Sequence, residues 1–466
     1  MKFKNKICCI LIIGYTFNCF SAIFDIAYPY TIDKKEFFPW TAFFRSLYAR
    51  KELALGKYPV KAEISGYVMH EPFWDSRQVD ASVSGLQLFA PQPKECDPRG
   101  KDINAVGEFS MSPLETRGRA KFYGPIIENA PVPLKFFNGA EIFGLIEFDF
   151  IGSNEVLARA RARHAYMKLT WKEPEITFWA GQYYHPIRLA HLDLDPKIIG
   201  RNRGAPVHPN VRDPQVRFTK GWKNKLNLVL TALTQLRARS EGPEGRSSIY
   251  LRRSMMPVFN AQLWLGPQST KYVFGVGFDI KRLMPRLVTN KCVRTRETIT
   301  SSAFDIYAKI TAEPLSIRTQ FVWGQNTGDY GMLGGYAVKT INPRTDERTY
   351  ANINVMTYWI DFNLDKKISP GLFGGLTKNL GTSTPIIPSI TNTKGETESL
   401  VYARGPDIKY MAKVNPRIRL HFRPIVFGAE IEWTRAGYGT VKPSGQIENV
   451  VPVSNVRFIL ASYFFF

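Results

Sequence analysis

From about residue 58 onward, polar and apolar side chains alternate with a period of two, and that pattern alone excludes most folds. In Pro416 to Arg423, Arg417, Arg419, His421 and Arg423 alternate with Ile418, Leu420 and Phe422. In Ala140 to Phe150, Ile142, Gly144, Ile146, Phe148 and Phe150 share one face, while Glu141, Glu147 and Asp149 share the other. Leu315 to Trp323 sets Leu315, Ile317, Phe321 and Trp323 against Ser316, Arg318 and Gln320. The last stretch places Phe458, Leu460, Phe464 and Phe466 opposite Asn455 and Arg457, and it ends in the run Tyr463, Phe464, Phe465, Phe466. These are strands with one wet and one apolar face. A soluble sandwich alternates in the same way, so the connections have to decide.

Membrane barrels use tight turns at one end and long loops at the other. Short links fall at Lys172 to Glu175, Gly221 to Asn224, Pro267 to Thr270, Ala312 to Pro314, Asp365 to Pro370 and Arg423 to Pro424. Long segments rich in Gly, Pro, Asn and Arg lie between them, at 184–212, 236–256, 283–301, 326–353, 380–405 and 437–453. The count predicts an all-β, transmembrane antiparallel β-barrel of about 16 to 18 strands, nearer 18, with Thr116 to Gly139 ambiguous. A barrel that wide encloses water rather than a filled core. Aromatic residues make up 13% of the chain, and Trp171, Trp179, Tyr183, Tyr184, Trp323 and Trp433, near predicted strand ends, are expected to form interfacial girdles.

The first residues read as an export signal. Lys2, Lys4 and Lys6 form a basic start, Ile7 to Tyr15 an apolar run too short to span a bilayer, and Cys19, Ser21 and Ala22 a small-residue site, so residues 1–21 are expected to be removed near Ser21. A lipid anchor at Cys19 is the alternative. No later segment offers about 18 consecutive apolar residues, the length a helical span requires. Residues 22–57, where Asp33 to Leu55 is charged and aromatic without alternation, read as a periplasmic tether or a plug, and 58–466 as the barrel. Cys96 and Cys292 are the cysteines beyond the signal; one disulfide and two separate thiols both fit.

The formal charge is +22, and subtracting the signal's three lysines leaves +19. Such an excess points to an anionic partner. An export signal moves that partner away from nucleic acid and toward small anions or lipopolysaccharide phosphates.

Several motifs resemble those of the porin family that includes the DcaP-like trimeric outer-membrane channels, and more closely a related group of outer-membrane proteins of Bacteroidota. They are Ser65-Gly66-Tyr67 with Asp75-Ser76-Arg77-Gln78, Gly144-Leu145-Ile146-Glu147-Phe148-Asp149-Phe150, and Arg161-Ala162-Arg163-His164-Ala165-Tyr166. Trp179-Ala180-Gly181-Gln182-Tyr183-Tyr184-His185-Pro186, Asp213-Pro214-Gln215-Val216-Arg217, Met332-Leu333-Gly334-Gly335-Tyr336-Ala337-Val338-Lys339 and the aromatic end follow in order. Thr116-Arg117-Gly118-Arg119 departs from the Ser-Arg-Leu-Gly usual there. The resemblance implies a homotrimeric diffusion channel for small hydrophilic, often anionic solutes, embedded among outer-membrane lipid and lipopolysaccharide. It also implies recognition by the barrel-assembly machinery through the strand ending at Phe466, so that removing Phe466 lowers the amount of folded protein.

Arg159, Arg161 and Arg163 recur at period two and form a ladder with rungs about 6.5–7 Å apart. Facing lipid, each would cost roughly 2–4 kcal/mol near the midplane, so they are expected to face water. Arg117, Arg119 and Lys121 form a second ladder, and Arg417, Arg419 and Arg423 a third. Glu147 and Asp149 on another wall would set up a transverse field favouring anions; the alternative is cross-strand neutralisation between neighbours. The segment His185 to Arg212, with Asp193, Asp195, Arg201 and Arg203, is expected either to fold into the channel or to form an ordinary outer loop.

Enzyme chemistry has little support: GxSxG, P-loop, HExxH and GxGxxG patterns are absent and the six histidines are scattered. No cofactor or metal is expected. The competing function is an adhesin or structural barrel that binds through the basic loops 236–256 and 283–301.

Overall fold

The computed structural model describes residues 59–466 apart from 83–84, 153–158, 201–203, 224, 237–238, 267–270, 392–394 and 396. The expected signal and the tether-or-plug segment therefore lie outside the described residues.

Alternation becomes wall. Eight strands make the first half: β1 Lys61–Asp75, β2 in two pieces at Glu108–Ser112 and Arg117–Ile126, β3 Glu141–Asp149, β4 Arg161–Trp171, β5 Ile176–Tyr184, β6 Arg212–Trp222, β7 Leu226–Leu233 and β8 Val258–Leu265. The second half comprises β9 Tyr272–Leu283, β10 Ile299–Ala312, β11 Leu315–Gln325, β12 Arg348–Leu364, β13 Ile368–Thr382, β14 Ile408–Phe422, β15 Ile425–Val441 and β16 Ile447–Phe465. Each pairs antiparallel with its chain neighbours, and β16 returns to pair with β1 from Tyr67↔Phe465 to Asp75↔Arg457, which closes the sheet.

The barrel has 16 strands, which removes the higher expected number. The continuous sheet has 19 segments; two of them are the pieces of β2, and two more, Gly334–Ile341 and Val401–Arg404, pair with each other at the rim, so 19 − 1 − 2 = 16. Those rim segments alternate as wall strands do, which is why sequence spacing cannot tell them apart. The expected loop at 437–453 is also largely strand: β15 and β16 stay paired up to Val441↔Ile447, leaving Lys442 to Gln446 as the turn. At 17 and 19 residues these strands exceed the roughly 9–11 that cross a bilayer, so the wall rises above the membrane.

The outward face is apolar and exposed: Leu263, Phe274, Phe278, Ile306, Ile431 and Phe458 among many. Exposed apolar side chains around a closed wall are stable only against lipid. Trp171 and Trp323 lie on this face near strand ends, as a girdle requires, and Trp433 lies on it farther along β15. Trp179, Tyr183 and Tyr184 do not; they pack with inward groups, as described below. Cys96 and Cys292 are separate free thiols, both exposed.

Among the described residues, two of the segments that turn inward between strands bear on the site. The hairpin Val79–Ser82 and Gln87–Pro91 buries Leu86 and Leu88 almost completely, and Phe89 and Ala90 join a cluster with Leu333, Ile353 and Met411. The other is the segment between β5 and β6.

Candidate functional site

Residues 185–211 connect β5 to β6, and the described ones, 185–200 and 204–211, pack against the inner wall. Leu189, Leu192, Leu194, Ile198 and Val207 cluster with Val229, Trp264, Val273, Tyr307, Trp359 and Phe373, which come from β7 to β13. Polar anchors fix the rest of the path. Lys309 and Lys197 donate to the Asp193 carboxylate at 3.1 and 3.0 Å, Arg318 donates to its carbonyl at 3.1 Å, and Gln320 donates to the Ile187 carbonyl at 2.7 Å. The Lys197 amide donates to Asp361 at 3.0 Å, the Ile199 amide to Glu430 at 2.6 Å, and Arg419 to the Lys197 carbonyl. Of the two expected positions, this is the inward one: a constriction loop held by wall strands from β7 to β15. Arg201 and Arg203 lie outside the described residues.

The wall from β2 to β6 carries the densest charge. Glu147 on β3 accepts from Arg163 on β4 at 2.8 Å and from Arg119 on β2, with Arg117 at 3.7 Å. Asp149 takes a bidentate pair from Arg161, both bonds 2.7 Å, and a third bond from Arg163 at 2.8 Å. The acids therefore stand between the two arginine ladders instead of across the lumen from them. The expected transverse field from opposite walls is replaced by neighbour pairing, because cross-strand partners in an antiparallel sheet are close enough for guanidinium and carboxylate to meet directly.

A bulge shapes this cluster. Glu147 faces His164 and Phe148 faces Ala162, so Arg163 is the extra residue on β4. Bulges break the two-residue period, and here Arg163 and His164 are both buried among the charges. Arg159 is exposed and lies beyond the end of β4, bridged to Ile151, so within β4 the ladder has two rungs.

Aromatic rings line the next part of the wall. Arg163 donates to the Tyr184 hydroxyl at 2.9 Å; Arg188, from the constriction loop, lies 3.8 Å over the Tyr184 ring, and Arg212 lies 5.3 Å from it. Arg217 sits 5.0 Å over Trp179, which stacks on Tyr166 at 5.0 Å. Gly181 makes this arrangement possible: its φ is +133°, and a Cβ there would lie 2.3 Å from the Ala165 carbonyl. Arg212 and Arg217 carry cation–π contacts, and among the described residues neither has a carboxylate partner. Sequence reasoning singled out neither for this role, although Asp213, Gln215 and Arg217 alternate along β6 and that period was the available signal.

Arg417 and Arg419 of the third ladder both face inward on β14. Arg417 pairs with Asp361 at 2.8 Å, both fully buried, and Arg419 holds the constriction loop.

No protein-family model and no curated protein matches the sequence. Solved structures do. The outer membrane channel DcaP of Acinetobacter baumannii superposes with a TM-score of 0.60 at 13% identity, over 87% of this chain and 97% of that one. An anion-selective porin from Comamonas acidovorans gives a TM-score of 0.50 at 6% identity, over 87% and 100%. With its closed 16-stranded wall and apolar outer belt, the chain has the fold of the outer-membrane porins.

Proposed function

We propose that the protein is a porin of the bacterial outer membrane that passes small hydrophilic solutes and prefers anions, working as a homotrimer among outer-membrane lipid and lipopolysaccharide. The observation that carries the preference is the surplus of guanidinium on the β2–β6 wall. Glu115, Glu147 and Asp149 meet Arg117, Arg119, Arg161 and Arg163, and on β6 Arg212 and Arg217 add two further cations against one buried acid, Asp213. Fixed cations lining a narrowed path lower the barrier for anions and raise it for cations. The constriction loop brings Arg188 to the same wall already paired with Asp195 at 3.0 Å, so it narrows the path there without adding to the surplus.

Planar-bilayer recording in a salt gradient tests this. Open channels whose reversal potential lies on the anion side are expected. Cation-selective channels would overturn the preference, and silence from folded protein would move the reading to surface binding through loops 236–256 and 283–301.

A further inference from the structure

Elsewhere in the barrel, charges of opposite sign meet each other directly: Asp75 with Arg457 at 2.6 Å, Asp361 with Arg417 at 2.8 Å, Asp149 with Arg161 at 2.7 Å. Arg212 and Arg217 depart from that rule as single cations, and one cavity departs from it for both signs of charge. It has a volume of about 620 Å³ and lies where the inward hairpin, the β7–β8 loop and the β13–β14 loop converge near the strand ends. Asp80, Phe89, Glu241, Arg246, Arg404 and Asp407 line it.

The Arg404 guanidinium lies 4.1 Å over the Phe89 ring, which fixes its plane and leaves its edge free to donate. Among the described residues no carboxylate or carbonyl accepts from it. Asp80 and Asp407 likewise have no cationic partner there, and the one ion pair in the cavity is the loose Arg246–Glu241 contact at 3.5 Å. Burial pulls the Arg404 guanidinium down to about 10, with Arg246 repelling it further, and burial raises the carboxyls of Glu241 and Asp407. Both signs of charge are thus partly stripped of water; Asp80 and Glu241 attract Arg404 from a distance but do not meet it in a direct pair. Separated, under-compensated charges cost free energy that a complementary ligand recovers. A ligand with a single charge satisfies one sign and is repelled by the other; a dipolar one satisfies both.

We propose that this cavity is a binding site for small zwitterions, such as free amino acids or dipeptides, with the ligand carboxylate on Arg404 and its ammonium toward Asp80, Glu241 and Asp407. A planar guanidinium edge binds a carboxylate through two parallel hydrogen bonds, and the acids set the polarity of the ligand in the cavity.

Isothermal titration of the full-length folded protein with dialanine, N-acetyl-dialanine and dialanine amide tests the site. Dialanine is expected to bind, with each capped form at least tenfold weaker. Arg404→Gln is expected to weaken dialanine at least tenfold, and Asp407→Asn to weaken dialanine while leaving N-acetyl-dialanine unaffected, with electrophoretic heat-modifiability of both variants retained. Equal binding of all three compounds, full binding of the N-acetyl form alone, no binding of dialanine, or an unchanged Arg404→Gln protein would each overturn the proposal. Binding is read at equilibrium, so a barrel that binds dialanine but passes no current would refute the porin reading and leave this one standing.

Discussion

The two charged walls of the barrel solve the same problem differently. On the β12 to β16 side, Asp361 meets Arg417, Glu432 meets Lys413, and Asp75 of the adjoining β1 meets Arg457. On the β2 to β6 side, Glu147 and Asp149 are shared among four arginines, and Arg212 and Arg217 lean on aromatic rings instead of acids. Paired charges cancel at the distance of a passing ion, whereas a shared set with surplus guanidinium does not. On the function proposed, buried arginine is therefore not by itself a selectivity element; its stoichiometry with acid decides.

The largest expected effect lies in stability. Arg163→Gln removes bonds to both shared acids and is expected to cost about 3–5 kcal/mol in urea unfolding from lipid vesicles. Arg417→Met is expected to cost a similar amount, but adding Asp361→Leu restores most of it, because that pair can be replaced as a unit. Adding Glu147→Gln to Arg163→Gln restores only part, since Asp149 keeps Arg161 but not Arg163, and Arg119 and Arg117 lose the Glu147 carboxylate. Full rescue on both walls would erase the distinction between them.

Selectivity is the next test. Replacing Arg212 and Arg217 together by Gln is expected to reduce the anion-to-cation permeability ratio about tenfold, equivalent to about 1.4 kcal/mol. The Arg417→Met, Asp361→Leu double variant is expected to leave the reversal potential unchanged. Equal shifts in the two proteins would mean that pairing does not screen the lumen.

A smaller effect is expected at the rim, where the β9–β10 and β11–β12 loops are clamped. Arg286 donates to Glu297 at 2.7 Å and to Asp346 at 2.8 Å. Burial would raise the Asp346 carboxyl, but the Asn290 amide and Arg286 outweigh it and hold it below its ordinary 3.8. A carboxyl lowered in the folded state stabilises above its unfolded value and loses that contribution as pH falls through the folded one. Amide exchange in residues 286–297, corrected for intrinsic rate, is therefore expected to be unchanged from pH 7 to about 5 and to quicken below about pH 4. Quickening near neutral pH would show that Asp346 is not the group that holds the clamp.

The strands were legible because a two-residue period needs no partner to be recognised: β3, β14 and β16 face as their alternation indicates. Arg117, Arg119, Arg161, Glu147 and Asp149 were found for the same reason. The bulge at Arg163 was not, since an extra residue is defined by the register of the opposite strand. Pairing the acids with their neighbours instead of opposing them also required knowing which strands adjoin. The hairpin at 79–91 escaped notice because its burial depends on Leu333, Ile353 and Met411, far along the chain. Arg404 stands out only once Phe89 lies beneath it.

The seam between β1 and β16 governs how the wall comes into being. Gly66 and Phe466 exchange backbone hydrogen bonds of 2.9 and 3.1 Å, across a sequence separation of 466 − 66 = 400 residues. Contacts of such separation form slowly, because the chain between them must be ordered first. Until they form, both margins of the sheet carry unsatisfied amides and carbonyls, each costing several kcal/mol in hydrocarbon. A half-built cylinder is thus not a smaller version of the finished one. Insertion into lipid is a cooperative event around the whole circumference, and a slip at any one register reopens two margins at once.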